Sequence, residues 1–309
     1  MKNVLTYLKK KGETLQEYAG TEQGKLLSSL SKKLFHAGLV LILIWQIWSV
    51  GVGEVISNIP KNPLFYLIFL ILYAGLPLSE YFIYRRKVPI SFLESQWIFH
   101  YKRIYNKFFV GYSGEVYLFT WLNKRFNTPK NEVFAFIRDN NSLSVVASWL
   151  VVSGISGWLL LTDETGLAAM IQEEIRLFLL VFFIAIAIYV TLASIFKRKL
   201  YSLSLRDTSV LFSVHTSRTL LLALLQVYQW FIIIPYAGLQ LLFNFLALQM
   251  VIGKIPFIPN KELIYISLSL YLAQATDIPL EEFTSLLVIN LLLEKGLSLL
   301  TLFMAKKSL

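Results

Sequence analysis

Long apolar segments follow one another along almost the whole chain, and this feature constrains the fold more than any other. A helix that crosses a bilayer needs about 20 mostly apolar residues. Eight segments of the 309-residue chain approach that length and composition. They comprise residues 34–56, 64–84, 143–162, 175–196, 217–234, 236–253, 262–277 and 282–304. The sequence therefore predicts an all-α integral membrane protein with about eight transmembrane helices.

The composition supports one bundle rather than soluble domains. Hydrophobic residues make up 56% of the chain and charged residues only 16%, whereas soluble domains are typically about 45–50% apolar and about 25% charged. We expect a single polytopic domain over residues 34–305. A basic cytoplasmic leader over residues 1–33 would precede it, and a short cytoplasmic tail, residues 306–309, would follow it.

The positions of the basic residues predict an orientation. The net charge is +10, and lysines and arginines cluster in the leader and at residues 85–87, 197–199 and 306–307. The connection over residues 163–174 is acidic instead. Because cytoplasmic loops carry the excess of Lys and Arg, both termini are expected on the cytoplasmic side of the cell (inner) membrane. The basic residues flank apolar segments and form no separate domain, which argues against nucleic-acid binding.

This orientation constrains residues 88–142. The loops agree with the positive-inside rule only if the region begins and ends on the cytoplasmic side. It is therefore predicted to be re-entrant or interfacial rather than a single crossing. Each half of the chain also has a polar-punctuated segment, at residues 105–122 and 255–277. Such a pattern is compatible with an inverted-repeat arrangement and points to a transport site between the halves.

Several chemistries lack the residues that they require. The chain has no cysteine, and its three histidines are far apart, without the spacing of metal ligands. No glycine-rich phosphate loop with lysine and no GxSxG motif occurs, and no paired acidic cluster of the kind that prenyl-transfer enzymes use to hold magnesium is present. The sequence therefore predicts no metal, no cofactor and no catalytic residue.

Glu115 is the most informative polar residue, because a charge at mid-bilayer costs about 2.5–3.5 kcal/mol on insertion scales. It lies in the stretch GYSGEVYLF. Either it lines a hydrophilic cavity from a re-entrant helix, paired with a basic group, or it faces water at the cytoplasmic leaflet. Gly111 and Gly114 favour the cavity, since glycine permits sharp backbone geometry.

Arg138 and Asp139 allow two interpretations. They could form a buried ion pair near Glu115 that presents the arginine to a lipid phosphate. Alternatively, Asp139 and the two asparagines after it could cap the helix that begins near residue 143. Both interpretations can hold together.

Glu262 and Lys295 lie in the last two apolar segments. Glu262 stands at the start of a helix, where the helix dipole favours a carboxylate, although its proline-rich entry also suits a half-helix. Lys295 can hardly snorkel from its position, so it is expected to point into the bundle or a cavity. The amides of the fifth and sixth spans are expected to form interhelical hydrogen bonds rather than to bind substrate. They are Gln226, Gln229, Gln240, Asn244 and Gln249.

Three stretches, taken in order, resemble the lysylphosphatidylglycerol synthase transmembrane (flippase-like) family. They are YNKFFVGYSGEVYL, VFAFIRDNNSLSVVASWL, and the segment that runs from IPFIPNKEL into the last helix. The residues that match the motifs of that family are Asn106, Gly114, Glu115, Arg138, Asp139, Pro259 and Glu262. The chain departs from the family in lacking the glycines of the third motif and in carrying Lys295 where arginine is common.

The resemblance implies a membrane bundle with re-entrant helices that moves or positions a phospholipid or a polyprenyl-linked lipid. The chain contains no counterpart of the soluble aminoacyl-transfer domain of some members, so it is not expected to charge a lipid with lysine. The site residues implied are Asn106, Glu115, Arg138, Asp139 and Glu262, together with Lys295.

The leading hypothesis is a flippase-like protein whose hydrophilic cavity, lined by Glu115, Arg138, Glu262 and Lys295, carries a lipid head group. Two alternatives stay open. One is a membrane-embedded transferase with Glu115 or Asp139 as general base, and the other is a non-catalytic membrane scaffold. The expected partners are membrane lipids, and a second copy or another membrane protein is a further option.

Overall fold

The computed structural model describes residues 41, 59–108, 113–162, 202–254, 261–274, 276 and 278–304. Within these residues the chain forms eight α-helices, one short 3-10 helix at Pro235–Ala237 and no strand. The helices are α1 (Pro63–Tyr84), α2 (Phe92–Phe108), α3 (Ser113–Phe126), α4 (Lys130–Leu161), α5 (Leu205–Phe231), α6 (Leu239–Lys254), α7 (Lys261–Ala273) and α8 (Leu280–Met304). The predicted all-α fold is confirmed.

Four of these helices, α1, α4, α5 and α8, are long and apolar enough to cross a membrane. They contain the predicted spans 64–84 and 282–304 in full, residues 143–161 of the predicted span 143–162, and residues 217–231 of the predicted span 217–234. The predicted spans 236–253 and 262–277 correspond to the shorter helices α6 and α7. These helices confirm the membrane-protein class.

Other expectations fall outside the described residues. They concern the spans 34–56 and 175–196, the leader 1–33 and the tail 306–309. The orientation of the chain and the cytoplasmic placement of both termini stay predictions.

The candidate spans keep large apolar side chains on their outer surfaces. Leu67 and Leu70 on α1 are 55% and 52% exposed, and Leu221 on α5 is 58% exposed. Phe303 on α8 is 61% exposed. Contiguous apolar surface of this kind is rare on soluble monomers, and it fits helices that contact lipid.

Helices α2 and α3 pack against each other as a pair. An apolar core holds this pair to its neighbours: the ring of Tyr84 on α1 lies 5.1 Å from that of Phe99 on α2 and 5.1 Å from that of Phe136 on α4. Leu118 and Leu122 of α3 are buried in the same core. Residues 88–142 thus contain two helices and the start of a third, and their re-entry into the membrane stays a prediction.

Helix α4 corrects the interpretation of Asp139 as part of a helix cap. The helix begins directly after Pro129 and runs without a break to Leu161, so Asp139 lies in its interior. The carboxylate accepts hydrogen bonds from another part of the chain instead. Its Oδ2 accepts from the Ser202 amide at 2.6 Å, the Ser202 hydroxyl at 2.8 Å and the Leu203 amide at 3.2 Å. These bonds satisfy Asp139 without ending the helix.

The 3-10 helix Pro235–Ala237 separates α5 from α6, at the boundary between the predicted spans 217–234 and 236–253. Gly238 follows with a φ of 74°, a left-handed conformation that glycine adopts without steric cost. In α1, by contrast, the helix continues through Pro77.

The contact between α2 and α3 predicts the effect of substituting Gly114. A Cβ at this position would lie 2.1 Å from the carbonyl oxygen of Lys102, so alanine forces the two backbones apart. We expect Gly114→Ala to lower the free energy of unfolding by about 1–3 kcal/mol or more. Denaturant unfolding of the protein in non-ionic detergent measures this change.

The matched control is Gly157→Ala on α4, where an added Cβ has no neighbour within 4 Å. Alanine favours a helix over glycine, so this variant should be unchanged or slightly more stable. Equal stability of Gly114→Ala and the native protein would contradict the close approach of α2 and α3.

Candidate functional site

Helix α2 carries four polar side chains that project from two neighbouring faces. Lys102 and Asn106 are four residues apart, as are Arg103 and Lys107, and side chains at this spacing lie on the same side of a helix. Each of these pairs meets carboxylates from other helices. Helix α2 is therefore the element around which the polar groups assemble.

On the first face, Lys102 lies between two carboxylates. Its Nζ is 2.9 Å from Oε1 of Glu80 on α1 and 3.6 Å from Oε1 of Glu115 on α3. The three side chains are only 7%, 6% and 13% exposed. A buried ammonium paired with two carboxylates links α1, α2 and α3, and removing Lys102 would leave two buried carboxylates without their counter-ion.

Asn106 completes this face. Its Nδ2 donates to Oε1 of Glu115 at 3.1 Å, and its Oδ1 accepts from the Gly114 amide at 2.7 Å. The hydroxyl of Ser113 donates to the Tyr105 carbonyl at 2.8 Å. Asn106 therefore positions both the start of α3 and the Glu115 carboxylate, and the absent side chain of Gly114 makes the approach possible.

On the second face, Arg103 and Lys107 both form ion pairs with the Glu294 carboxylate of α8. Lys107 Nζ also lies 3.3 Å from Oε1 of Glu262 on α7. The Arg103 guanidinium donates to the Tyr73 carbonyl at 2.8 Å and lies 4.8 Å from the centre of its ring. These contacts link α2 to α1, α7 and α8.

We call these groups the α2 network: Lys102, Arg103, Asn106 and Lys107 of α2, with Glu80, Glu115, Glu262 and Glu294. Lys295 lies beside it and is 5% exposed, as its expected inward orientation requires. With Lys295 included, four cations balance four carboxylates. Such neutrality lets the charges sit among apolar helices, where an unpaired ion would be costly.

The aromatic wall of α2 and α3 adjoins the network. The ring of Tyr117 stacks on that of Tyr105 at 4.9 Å and lies 5.9 Å from that of Tyr101. Burial raises the pKa of Tyr117, and it raises the pKa of Tyr101 to about 12. The phenols are therefore neutral and add no charge beside the network.

A groove of about 660 Å³ opens beside the network between α3 and α4. Its walls are mainly apolar, and Glu115 and Arg138 supply a carboxylate and a guanidinium. Oε2 of Glu115 is buried and has no hydrogen-bond partner among the described residues. The lining residues are Glu115, Val116, Phe119, Phe134, Ile137, Arg138, Asn141, Ser142, Val145 and Val146. The groove thus offers polar contacts beside an apolar surface.

Arg138 forms the expected ion pair with Asp139. Its Nε and Nη2 donate to Oδ1 of Asp139 at 2.9 and 2.7 Å. The Arg138 side chain is 38% exposed, whereas that of Asp139 is fully buried. Because Asp139 Oδ2 holds residues 202 and 203, the whole carboxylate is engaged in holding the fold.

The six residues expected from the sequence fall into two groups, one near each of the two neighbouring faces of α2. Asn106 and Glu115 lie on the first face, where Glu115 meets the groove that Arg138 also lines. Glu262 belongs to the second face, and Lys295 lies near it. Asp139 supports Arg138 from α4. Of the six, only Glu115 and Arg138 line the groove between α3 and α4, and α2 connects Glu115 to Glu262 through its own cations.

Sequence reasoning missed most of this network, although signals were present. The stretch HYKRIYNKF repeats cationic or amide residues at a spacing of four, which marks helical faces. Glu80 is a single charge inside the apolar segment 64–84, and such a charge indicates a buried partner.

The expected interhelical hydrogen bonds of the glutamines are confirmed at two positions. Nε2 of Gln229 on α5 donates to the Phe65 carbonyl on α1 at 3.1 Å. The side chain of Gln240 on α6 donates to the Thr162 carbonyl, just after α4. Both amides therefore serve helix packing.

A scan against protein-family models finds no match, and searches of curated proteins and of solved structures find no similar protein either. The resemblance to the lysylphosphatidylglycerol synthase transmembrane family therefore stays a prediction. Within the described residues, no group of three or more His, Cys, Asp or Glu side chains could hold a metal ion.

The second face of the network predicts a large stability difference between two carboxylates. Glu294→Gln leaves Arg103 and Lys107 partly buried without their shared counter-ion, so we expect the free energy of unfolding to fall by about 3 kcal/mol. Glu94→Gln is the matched control, because Glu94 pairs with Arg125, whose side chain is 58% exposed. Exposed pairs contribute about 0–1 kcal/mol.

Denaturant unfolding in non-ionic detergent compares the two variants with the native protein. A loss for Glu294→Gln no larger than that for Glu94→Gln would show that the network does not stabilise the bundle.

Proposed function

We propose that this membrane protein binds an amphipathic lipid and helps its head group to cross the bilayer. The substrate class is a phospholipid or a polyprenyl-linked lipid, and the cell membrane is the proposed location. The observation that carries the proposal is the groove between α3 and α4. It combines apolar walls for a lipid chain with Glu115 and Arg138 for a polar head group.

Arg138 suits the phosphate of such a head group. Its Nε and Nη2 bind Asp139, which leaves Nη1 directed away from that pair on a side chain that is 38% exposed. A guanidinium binds phosphate oxygens through short charge-assisted hydrogen bonds. The Glu115 carboxylate, which lines the groove, would accept from a hydroxyl or an amine of the same head group.

The α2 network supports a polar route alongside this groove. Glu294 lies near the middle of α8, one of the candidate spans, and its ion pairs with α2 place charged groups well inside the bundle. Buried ionisable groups of this kind commonly mark the pathways of transported ions and substrates. Charged walls would let a head group cross without meeting hydrocarbon.

The two alternatives gain less support. A scaffold would leave its polar residues as isolated interhelical bonds, whereas Lys102, Arg103 and Lys107 join carboxylates of four other helices. Asp139 is a poor general base for a transferase, since both of its carboxylate oxygens already accept hydrogen bonds. Glu115 is the remaining candidate for that role.

Glu115→Gln tests the proposed transport. Lys102 keeps Glu80 as its partner at 2.9 Å in this variant, so the fold should survive. We expect the reconstituted native protein to scramble fluorescent phospholipids between the leaflets of liposomes, and we expect Glu115→Gln to do so at least about tenfold more slowly, because one charge-assisted contact is lost.

The matched control is Glu132→Gln, which removes a carboxylate from the exposed first turn of α4 and should scramble at the native rate. Equal rates for Glu115→Gln and the native protein would exclude a role for Glu115. Absence of scrambling by the native protein would exclude this function for the lipids tested.

A further inference from the structure

A second group of cations makes no direct ion pair with an acidic side chain among the described residues. Arg218 is the middle residue of α5, and Lys254 is the last residue of α6. Both side chains are only partly exposed. No ion pair joins either of them to an acidic side chain of the described chain.

Three serines contact these cations. Nη1 of Arg218 donates to Oγ of Ser79 and Nη2 donates to Oγ of Ser144, both at 3.2 Å. Nζ of Lys254 donates to Oγ of Ser148 at 2.7 Å. Two of the hydroxyls already use their proton on the backbone, since Ser79 donates to the Leu76 carbonyl and Ser148 to the Ser144 carbonyl, both at 2.8 Å. The serines therefore orient the cations but bring no negative charge.

The two cations are held close together. Ser144 and Ser148 are one turn apart on α4, a spacing that places their Cβ atoms about 5–6 Å from each other. Arg218 and Lys254, which donate to these two serines, are therefore close to each other, and their positive charges repel. Lys261 adds a third positive charge nearby, and its Nζ donates to the Gly253 carbonyl at 3.0 Å.

The surrounding chain offers little compensation. Glu80, which follows Ser79 in α1, attracts Arg218, but it also pairs with Lys102 at 2.9 Å and so does not balance Lys254. The segment between α6 and α7, residues 255–260, reads IPFIPN and contains no charged residue. Holding two cations together inside an apolar bundle is costly unless an anion joins them.

We propose that Arg218 and Lys254, with Ser79, Ser144 and Ser148, form a binding site for a phosphate monoester. A planar guanidinium and a compact ammonium are the two side chains that proteins use for phosphate. A monoester carries about −1.5 to −2 charges at neutral pH, which matches two cations better than the single charge of a diester. The assignment of this site to a lipid head group rests on the proposed function, whereas the assignment to a phosphate group does not.

The test measures thermal unfolding of the full chain in a phosphate-free, non-ionic detergent. Four compounds are added in turn: dioctanoyl phosphatidic acid, dioctanoyl phosphatidylglycerol, inorganic phosphate and dioctanoylglycerol. We expect phosphatidic acid to raise the unfolding temperature at the lowest concentration and dioctanoylglycerol to have no effect, because a ligand stabilises the folded state in proportion to its binding.

Arg218→Gln and Lys254→Gln should each weaken the apparent affinity for phosphatidic acid by at least about tenfold. Arg206→Gln is the matched control, since Arg206 is an exposed cation on the same helix as Arg218, and it should retain the native affinity. Retention of native affinity in both site variants would overturn the proposal, and so would equal effects of phosphatidic acid and dioctanoylglycerol.

Stability without any ligand separates binding from a structural role. Removing one of two repelling cations should leave Arg218→Gln and Lys254→Gln at least as stable as the native protein. A large loss of stability in both would identify these residues as structural and overturn the proposal.

The remaining outcomes identify the source of the phosphate. Inorganic phosphate that stabilises as well as phosphatidic acid, with the same loss in the variants, would support the site and assign it to free phosphate. A clear preference for phosphatidic acid would support a lipid source. Phosphate binding without phospholipid scrambling would overturn the proposed transport and leave this site intact.

Discussion

The pairing of the cations of α2 with carboxylates from four other helices is the interaction on which the rest of the structure depends. Lys102 meets Glu80 and Glu115, while Arg103 and Lys107 meet Glu294. A charge among apolar helices is tolerated only when it is paired. Helix α2 therefore cannot occupy its position without α1, α3, α7 and α8 around it, and these helices are held in one arrangement by the charges that they share.

The same pairing explains how the groove acquires its polar end. Asn106 binds the start of α3 and the Glu115 carboxylate at once, so Glu115 is fixed where α3 faces α4. On α4, Asp139 fixes Arg138 and also ties α4 to the segment before α5 through Ser202. A carboxylate and a guanidinium are thereby positioned at a mainly apolar groove by residues that do not themselves line it.

Much of the architecture could be predicted from apolar segments alone. The bilayer requires each spanning helix to have a certain length and an apolar composition, and both can be seen in a short stretch of sequence. Glu115 could be singled out in the same way, as a charge beside glycines in an apolar stretch. The pairing of Arg103 with Glu294 could not, because the two residues are 191 positions apart and meet only when α2 and α8 pack. The ion pair of Arg138 with Asp139 could be predicted from their adjacency, but the contact of Asp139 with Ser202 could not, since these two residues are 63 positions apart.

The central claim is that the charged groups lie at the depth of the membrane-spanning helices, and cysteine accessibility tests it most directly. The chain has no native cysteine, so single substitutions need no altered background. Leu78 is two residues from Glu80 and 39% exposed, and Leu221 is three residues from Arg218 and 58% exposed. Lys87, after the end of α1, is the exposed reference.

We predict that in proteoliposomes a charged, membrane-impermeant thiol reagent modifies Lys87→Cys rapidly. Leu78→Cys and Leu221→Cys should stay protected until the protein is denatured, because lipid covers these side chains. Modification of Leu78→Cys and Leu221→Cys at the rate of Lys87→Cys would place Glu80 and Arg218 in water and contradict the account.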